Sequence, residues 1–249
     1  MSILFTAIYI NLNFIDVAVF LNMNKIDLLQ SVSLFWDLSH DQLSLIADQM
    51  VARNYSAGEY FFLEDSEGKQ CFFVIKGSVK VTRLGKSGRE VILALLNEGD
   101  FFGEMSLIDG DSRSANVIAL ENTKVFTLNR LDFLNVIKKY PNIAIELLKV
   151  LGQRIRKSDR QITSLSLSDA EKRIALCILR IADEQGTIQR GLVTILKMPI
   201  QQDIGNMSGT SRETVSRTLK LFQDQGFIDR DGRKLVIVDY KKFGREFDF

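Results

Sequence analysis

The 249 residues are enough for one large domain or two small ones, and 46% hydrophobic with 25% charged residues excludes wholesale disorder. The 32 Lys and Arg against 31 Asp and Glu leave no global field toward nucleic acid or acidic lipid, so any such attraction is local. One His, His40, and two Cys, Cys71 and Cys177, exclude a disulfide framework, a four-ligand Cys/His zinc site and a Cys-ligated iron–sulfur cluster. Two separate Cys also fit a reducing cytoplasm, and a cytoplasmic location is expected.

The first 24 residues are apolar. They carry no positive flank, and Asn11, Asn13 and Asp16 interrupt the run before it reaches bilayer length. No membrane role is expected. Two readings stand: an amphipathic extension packed on the body, or an upstream start with Met23 the natural beginning. The domain proper then begins near Lys25, and Leu38 to Met50 has helical spacing.

From Val51 to Leu128 the chain reads as short β runs: Tyr60–Leu63, Cys71–Ile75, Val79–Val81, Val91–Leu96, Val117–Ala119 and Lys124–Leu128. Ala57-Gly58, Lys76-Gly77, Lys86-Ser87-Gly88 and Glu98-Gly99-Asp100 punctuate them. Such spacing predicts a small antiparallel barrel or jelly roll. His40 reads as a helix-start or surface residue, and both cysteines as core positions.

Between two of these runs lies Phe102-Gly103-Glu104-Met105-Ser106-Leu107-Ile108-Asp109-Gly110-Asp111-Ser112-Arg113-Ser114, read as one helical turn followed by a loop. Gly103 permits close backbone approach to a ligand, and the first N–H groups of the turn suit an anion. Arg113, nine residues after Glu104, is expected to fold back and grip a phosphate in a two-toothed fork. Ser114 adds a hydroxyl, and Glu104 is an acceptor suited to a ribose hydroxyl. The combination favours a sugar phosphate; a Glu104–Arg113 ion pair bracing the loop is the simpler alternative.

Pro141 opens a long helix to about Leu165. Leu151, Ile155, Ser158, Ile162 and Leu165 recur along it at intervals of 4, 3, 4 and 3, a heptad seam flanked by Arg154, Arg156, Lys157, Asp159 and Arg160. A homodimer is expected from that pattern. Asp169 to Ala182 reads as a further helix.

Pro199 then marks a helix from Ile200 that stops near Ser208-Gly209, and another runs from about Ser211 to Gln225. Gly226–Ile228 and Lys234–Val238 flank the turn Asp229–Arg233. Helix, tight turn, helix and hairpin make a winged helix-turn-helix. Gly209 suits the left-handed position of the turn, and Thr210 or Ser211 the cap, with Glu213 able to complete a capping box with Thr210. Ile204, Met207, Val215 and Leu219 are spaced to face inward. Arg212, Glu213, Ser216, Arg217 and Lys220 are left outward, where Arg reads guanine O6/N7 and Glu accepts from cytosine N4. Thr214 or Gln201, with Lys220, are candidates for the DNA backbone, and Ser211 is a further candidate DNA contact.

The Gly103–Ser114 run resembles the phosphate-binding cassette of cyclic-nucleotide-binding domains. Residues 25–249 as a whole are similar to the cyclic-AMP receptor and fumarate-nitrate-reduction regulator family of bacterial transcription factors. The resemblance implies an α+β chain: a sensor jelly roll at 25–139, a dimerisation helix at 140–166 and a winged reader at 167–249. It implies that Glu104 holds the ribose hydroxyl, that Arg113 and Ser114 hold a cyclic phosphate, and that Gly103 and Met105 offer backbone contacts. Ser158 and Asp159 stand where the cyclic-AMP receptor offers Thr and Ser to adenine, so a carboxylate near the base leaves cyclic AMP or another cyclic nucleotide open as effector. Arg212-Glu213-Thr214-Val215-Ser216-Arg217 resembles that receptor's recognition helix and implies TGTGA-like inverted repeats, although Ser216 resembles the branch that prefers TTGA. RNA polymerase is an implied partner.

Four cluster cysteines or a haem histidine at the barrel face would be needed for the family's oxygen- and haem-sensing branches, and neither is present. No catalytic residue, cofactor or metal site is expected: the cassette offers a clamp without a metal cluster or histidine base. The alternatives are a regulator of the same family gated by another ligand or active without one, and a nucleotide-binding regulatory subunit acting on a protein partner.

Overall fold

The computed structural model describes residues 25–189 and 191–248; the reading of the first 24 lies outside them. The chain divides into two compact units. One holds the described residues up to Thr82 with Ala94–Leu151, and the other holds Arg83–Leu93 with the chain from Gly152 onward.

In the first unit, residues 25–30 (α1) and His40–Ala47 (α2) precede the strands. Helix α2 starts where the sequence pattern places it because Ser39 and Gln42 form a reciprocal capping box. His40 is its first residue and is exposed. The eight strands are β1 (Val51–Tyr55), β2 (Tyr60–Phe62), β3 (Gln70–Lys76), β4 (Val79–Leu84), β5 (Glu90–Leu96), β6 (Phe101–Phe102), β7 (Asn116–Ala119) and β8 (Thr123–Asn129). They form two four-stranded sheets, ordered β1-β8-β3-β6 and β2-β7-β4-β5, the expected jelly roll.

Alternation along β3 explains why its sequence reads as unbroken apolar residues. Cys71, Phe73 and Ile75 enter a core shared with Leu43 and Ile46 of α2, while Phe72 and Val74 enter a second cluster with Val79, Phe102, Val117 and Val125. Both faces of that strand are covered from Cys71 to Ile75, so polar residues stand only at its ends. Helix α3 (Met105–Ile108) is the expected single turn. Helix α4 (Arg130–Lys139), capped by Asn129, is absent from the sequence reading; it packs Phe133 and Val136 into the first core. Pro141 opens α5 (Pro141–Leu167), whose Ile143 and Leu147 join the same core.

In the second unit, Asp169 caps α6 (Ala170–Gln185), which buries Cys177 among its apolar residues. A four-stranded sheet, β11-β12-β10-β9, is built from β9 (Thr187–Gln189), β10 (Leu192–Ile195), β11 (Ile228–Asp231) and β12 (Lys234–Ile237). The sequence reading found only the last two, because the β9–β10 hairpin is too short for periodicity to register. Helices α7 (Gln201–Ser208), α8 (Arg212–Asp224) and α9 (Tyr240–Glu246) complete the unit. Phe243 and Phe247, from the stretch containing α9, cluster with Phe222 and Phe227 beneath α8.

Among the described residues, no helix is long and apolar enough to cross a membrane. No group of His, Cys, Asp or Glu among them could hold a metal ion.

Candidate functional site

Gly103 ends β6 in the left-handed region, φ +79°, and turns the chain into α3. A Cβ there would lie 2.8 Å from Arg113 Nη1, so the glycine is needed for packing as well as conformation. Arg113 does fold back onto the turn, but its two terminal nitrogens meet the protein itself. Nη1 donates to Gly103 O (2.6 Å) and Ser106 Oγ (2.9 Å), and Nη2 donates to Gln70 O (2.6 Å). The guanidinium also lies 4.1 Å from the Phe62 ring centroid. Both teeth of the expected fork are thus held by backbone carbonyls of the chain itself. The physical reason is burial. Arg113 is 3% exposed, and a cation so enclosed must have its donors met at short range.

Arg113 Nε is buried with no hydrogen-bond partner among the described residues. Burial draws the Arg113 pKa down, opposed by the Cys71 thiol and the Glu104 carboxylate. Glu104 is 1% exposed and lies inside the cradle. Met105 and Ser114, by contrast, are exposed. Four supports escaped sequence reasoning. Gln70 contributes a carbonyl, which any residue has. Phe62 and Ser106 read simply as strand and turn residues. Gly68 carried a signal of its own: a Cβ there would meet Ser106 Oγ at 2.2 Å.

A recess of ≈ 330 Å³ beside the cradle is lined by Asp65, Glu67 and Asp111 against Arg130. Three carboxylates give it the wrong sign for a phosphate, and Arg130 Nε is bonded to Leu107 O.

Ser158 and Asp159 belong to the second unit and are exposed, Ser158 Oγ donating back to Arg154 O. On the same helix Ile155 and Ile162 are 62% and 61% exposed, and Leu165 is also open. Leu151 is half-buried against the first core. Leu148, which the sequence reading passed over, continues the exposed stripe one heptad before Ile155.

The helix-turn-helix has the burial pattern that its spacing predicts. Ile204, Met207, Val215 and Leu219 are buried, while Arg212, Glu213, Ser216, Arg217 and Lys220 are exposed. Gly209 takes the left-handed conformation, φ +66°. Ser211 caps α8, its Oγ accepting from Thr214 N. Of the two cap candidates it is thus Ser211 that caps, so the box open to Thr210 and Glu213 does not form. Glu213 is held below the ordinary carboxylate pKa by its own backbone N–H and the Ser211 hydroxyl, with Arg212 and Arg217 adding to the effect. It is thus kept as a charged acceptor. Gly205 was missed: a Cβ there would sit 3.0 Å from Thr210 O, crowding the close approach of α7 to the start of α8.

A groove of ≈ 570 Å³ runs between α7, the start of α8 and the β11–β12 hairpin, lined by Gln201, Gln202, Arg212, Arg230 and Arg233 among others. The two hairpin arginines, read from sequence only as turn residues, make it cationic.

Residues 52–140 match the family described as "Cyclic nucleotide-binding domain", and residues 172–245 match the "Crp-like helix-turn-helix domain". The chain is 33% identical over 195 residues to the cyclic AMP receptor protein of Thermus thermophilus, spanning 78% of this chain and 87% of that one. It is 31% identical over 206 residues to the cAMP-activated global transcriptional regulator CRP of Pasteurella multocida, spanning 82% and 94%. In fold it is similar to FixK2 from Bradyrhizobium japonicum: TM-score 0.71, 23% identity, 79% of this chain and 96% of that one.

Proposed function

Since this chain belongs to the cyclic-AMP receptor and fumarate-nitrate-reduction regulator family of transcription regulators, we propose that it is a cytoplasmic, homodimeric, ligand-gated DNA-binding regulator. Its effector is a cyclic nucleotide, with cyclic AMP first, and its targets are TGTGA-like inverted repeats. The relatives named for cyclic AMP support the effector class. RNA polymerase is the partner that the family implies.

The observation that carries the reading is the buried, unpartnered Nε of Arg113 beside Gly103. An orphaned donor on a buried cation is costly until an anion meets it. The residues thus fit an anionic sugar ester. Arg113 would meet its phosphate through Nε, exposed Ser114 would add a hydroxyl, and Glu104 would accept from the ribose. Met105 would contribute backbone, while Ser158 and Asp159 would face the base. When bound, the nucleotide supplies a negative charge and a base edge.

The apolar stripe of Leu148, Ile155 and Ile162 on α5 supports a two-fold seam with Leu151 and Leu165 at its margins. A dimer places two recognition helices in successive major grooves, about 34–36 Å apart. Gating requires the nucleotide to favour the DNA-competent state, and a hundredfold preference supplies about 2.7 kcal/mol. Gln201, Ser211, Thr214 and Lys220 would hold the DNA backbone. Arg212, Glu213, Ser216 and Arg217 would face the bases.

One observation favours a second reading. Both terminal nitrogens of Arg113 are satisfied within the chain itself, which fits a regulator gated by a different ligand or active with none.

Titrating cyclic AMP, cyclic GMP and cyclic dinucleotides calorimetrically, with mobility shifts on a TGTGA-repeat duplex, separates the two. Heat from cyclic AMP together with tighter operator binding supports the first reading. Operator binding that no nucleotide changes supports the second. Loss of sequence preference altogether refutes both.

A further inference from the structure

Asn206, on the inner side of α7, is 8% exposed and carries a side-chain amide that a buried helix face does not require. Both ends of that amide are engaged within the second unit. Its Nδ2 donates to Glu90 Oε2 at 2.9 Å, and its Oδ1 accepts from Gln202 Nε2 at 3.0 Å. Gln202 stands one helical turn earlier on α7, is exposed, and lines the cationic groove with Arg212 and Arg230.

The chemistry of the three groups sets the direction of this chain. A carboxylate has only acceptors, so Glu90 obliges Asn206 to present its NH2. The Asn206 oxygen then faces Gln202, which must answer with its own NH2. One nitrogen-bound hydrogen of Gln202 is consumed, and its carbonyl oxygen and second N–H are left. An oxygen presented to the groove takes a hydrogen from a base amine, adenine N6 or cytosine N4, a bond that no phosphate offers.

We propose that Glu90 and Asn206 are positioning residues for DNA reading, which fix the Gln202 amide with its oxygen toward the groove. The inference rests on the DNA-reading function above and deepens it: Gln202 becomes a selective base contact instead of a second backbone contact. Glu90 lies at the end of the β4–β5 hairpin, whose strands belong to the sheet that also carries β7, the strand following the cradle.

The test is binding-site selection by sequencing with the full-length protein, its Glu90→Ala, Glu90→Gln and Gln202→Ala variants, and the Glu90→Ala/Gln202→Ala double variant. Affinity for a random-sequence duplex is measured alongside. Gln202→Ala is expected to relax preference at one base pair by about fivefold or more. Glu90→Ala should relax the same base pair, the double variant should relax it no further, and Glu90→Gln should keep much of the preference. Because Glu90 is only half-buried, its variants are expected to fold, and binding to the random duplex reports that they do. A merely structural role for Glu90 would weaken both duplexes alike and leave the profile unchanged. An unchanged profile in Glu90→Ala, or additive losses in the double variant, overturns the proposal while leaving the DNA-reading function intact. A wild-type protein that selects no sequence overturns both.

Discussion

Replacing Arg113 by Ala in the nucleotide-free protein removes the shared donor of three acceptors. Gly103 O, Gln70 O and Ser106 Oγ all lose a charge-assisted hydrogen bond. A buried acceptor left unmet costs about 1–3 kcal/mol, and water entering the vacated space recovers part of it. Adding about 1 kcal/mol for the contact over Phe62, the loss should total roughly 3–5 kcal/mol of the first unit's stability. Trp36 is the single tryptophan of the chain and belongs to that unit, so urea unfolding followed by its fluorescence reads the effect there. With a slope of about 2 kcal/mol per molar, the midpoint should fall by roughly 1.5–2.5 M. Arg113→Lys should recover only part, since one ammonium lacks the planar span between two carbonyls. A midpoint in Arg113→Ala within about 0.3 M of wild type would mean that the guanidinium is not built into the cradle, and the reasoning fails. Lost nucleotide response in Arg113→Ala is therefore not sufficient to prove a phosphate contact. Ser114→Ala is the cleaner probe, because Ser114 is exposed: it should weaken nucleotide binding by about 1 kcal/mol without moving the midpoint.

Gly209→Ala forces a side chain into a left-handed position and within 2.7 Å of Leu165 Cδ2; thermal melting of the second unit should show a loss of about 1–3 kcal/mol. Ile155→Asp with Ile162→Asp puts charge into the exposed stripe of α5, and sedimentation velocity should then show a monomer; a persistent dimer would place the seam elsewhere. Arg212→Ala should relax one base pair by roughly 1–3 kcal/mol in a selection experiment. Lys220→Ala should leave the profile intact and lower the salt slope of binding by about one. Exchange of those two outcomes would reverse their roles.

Much of the candidate site was legible because its signals are local. Gly103 followed at fixed distance by Arg113 and Ser114 marks a turn and a returning loop, and Gly209 with Ser211 marks a helix end and the next cap. Each depends on sterics or hydrogen bonds spanning a few residues. Helix α4 escaped because its run continues straight from β8 with no glycine or proline between them, so the change of period is short and unpunctuated.

From the residues alone came the two-sheet sensor, the long helix from Pro141, the winged reader and the identity of its outward side chains. Tertiary structure decided which atoms those side chains meet. Gln70 comes to Arg113 from 43 residues away, and Glu90 to Asn206 from 116. A backbone carbonyl leaves no mark on residue type, and a distant carboxylate none on periodicity, so such partners become visible only once the chain has returned on itself.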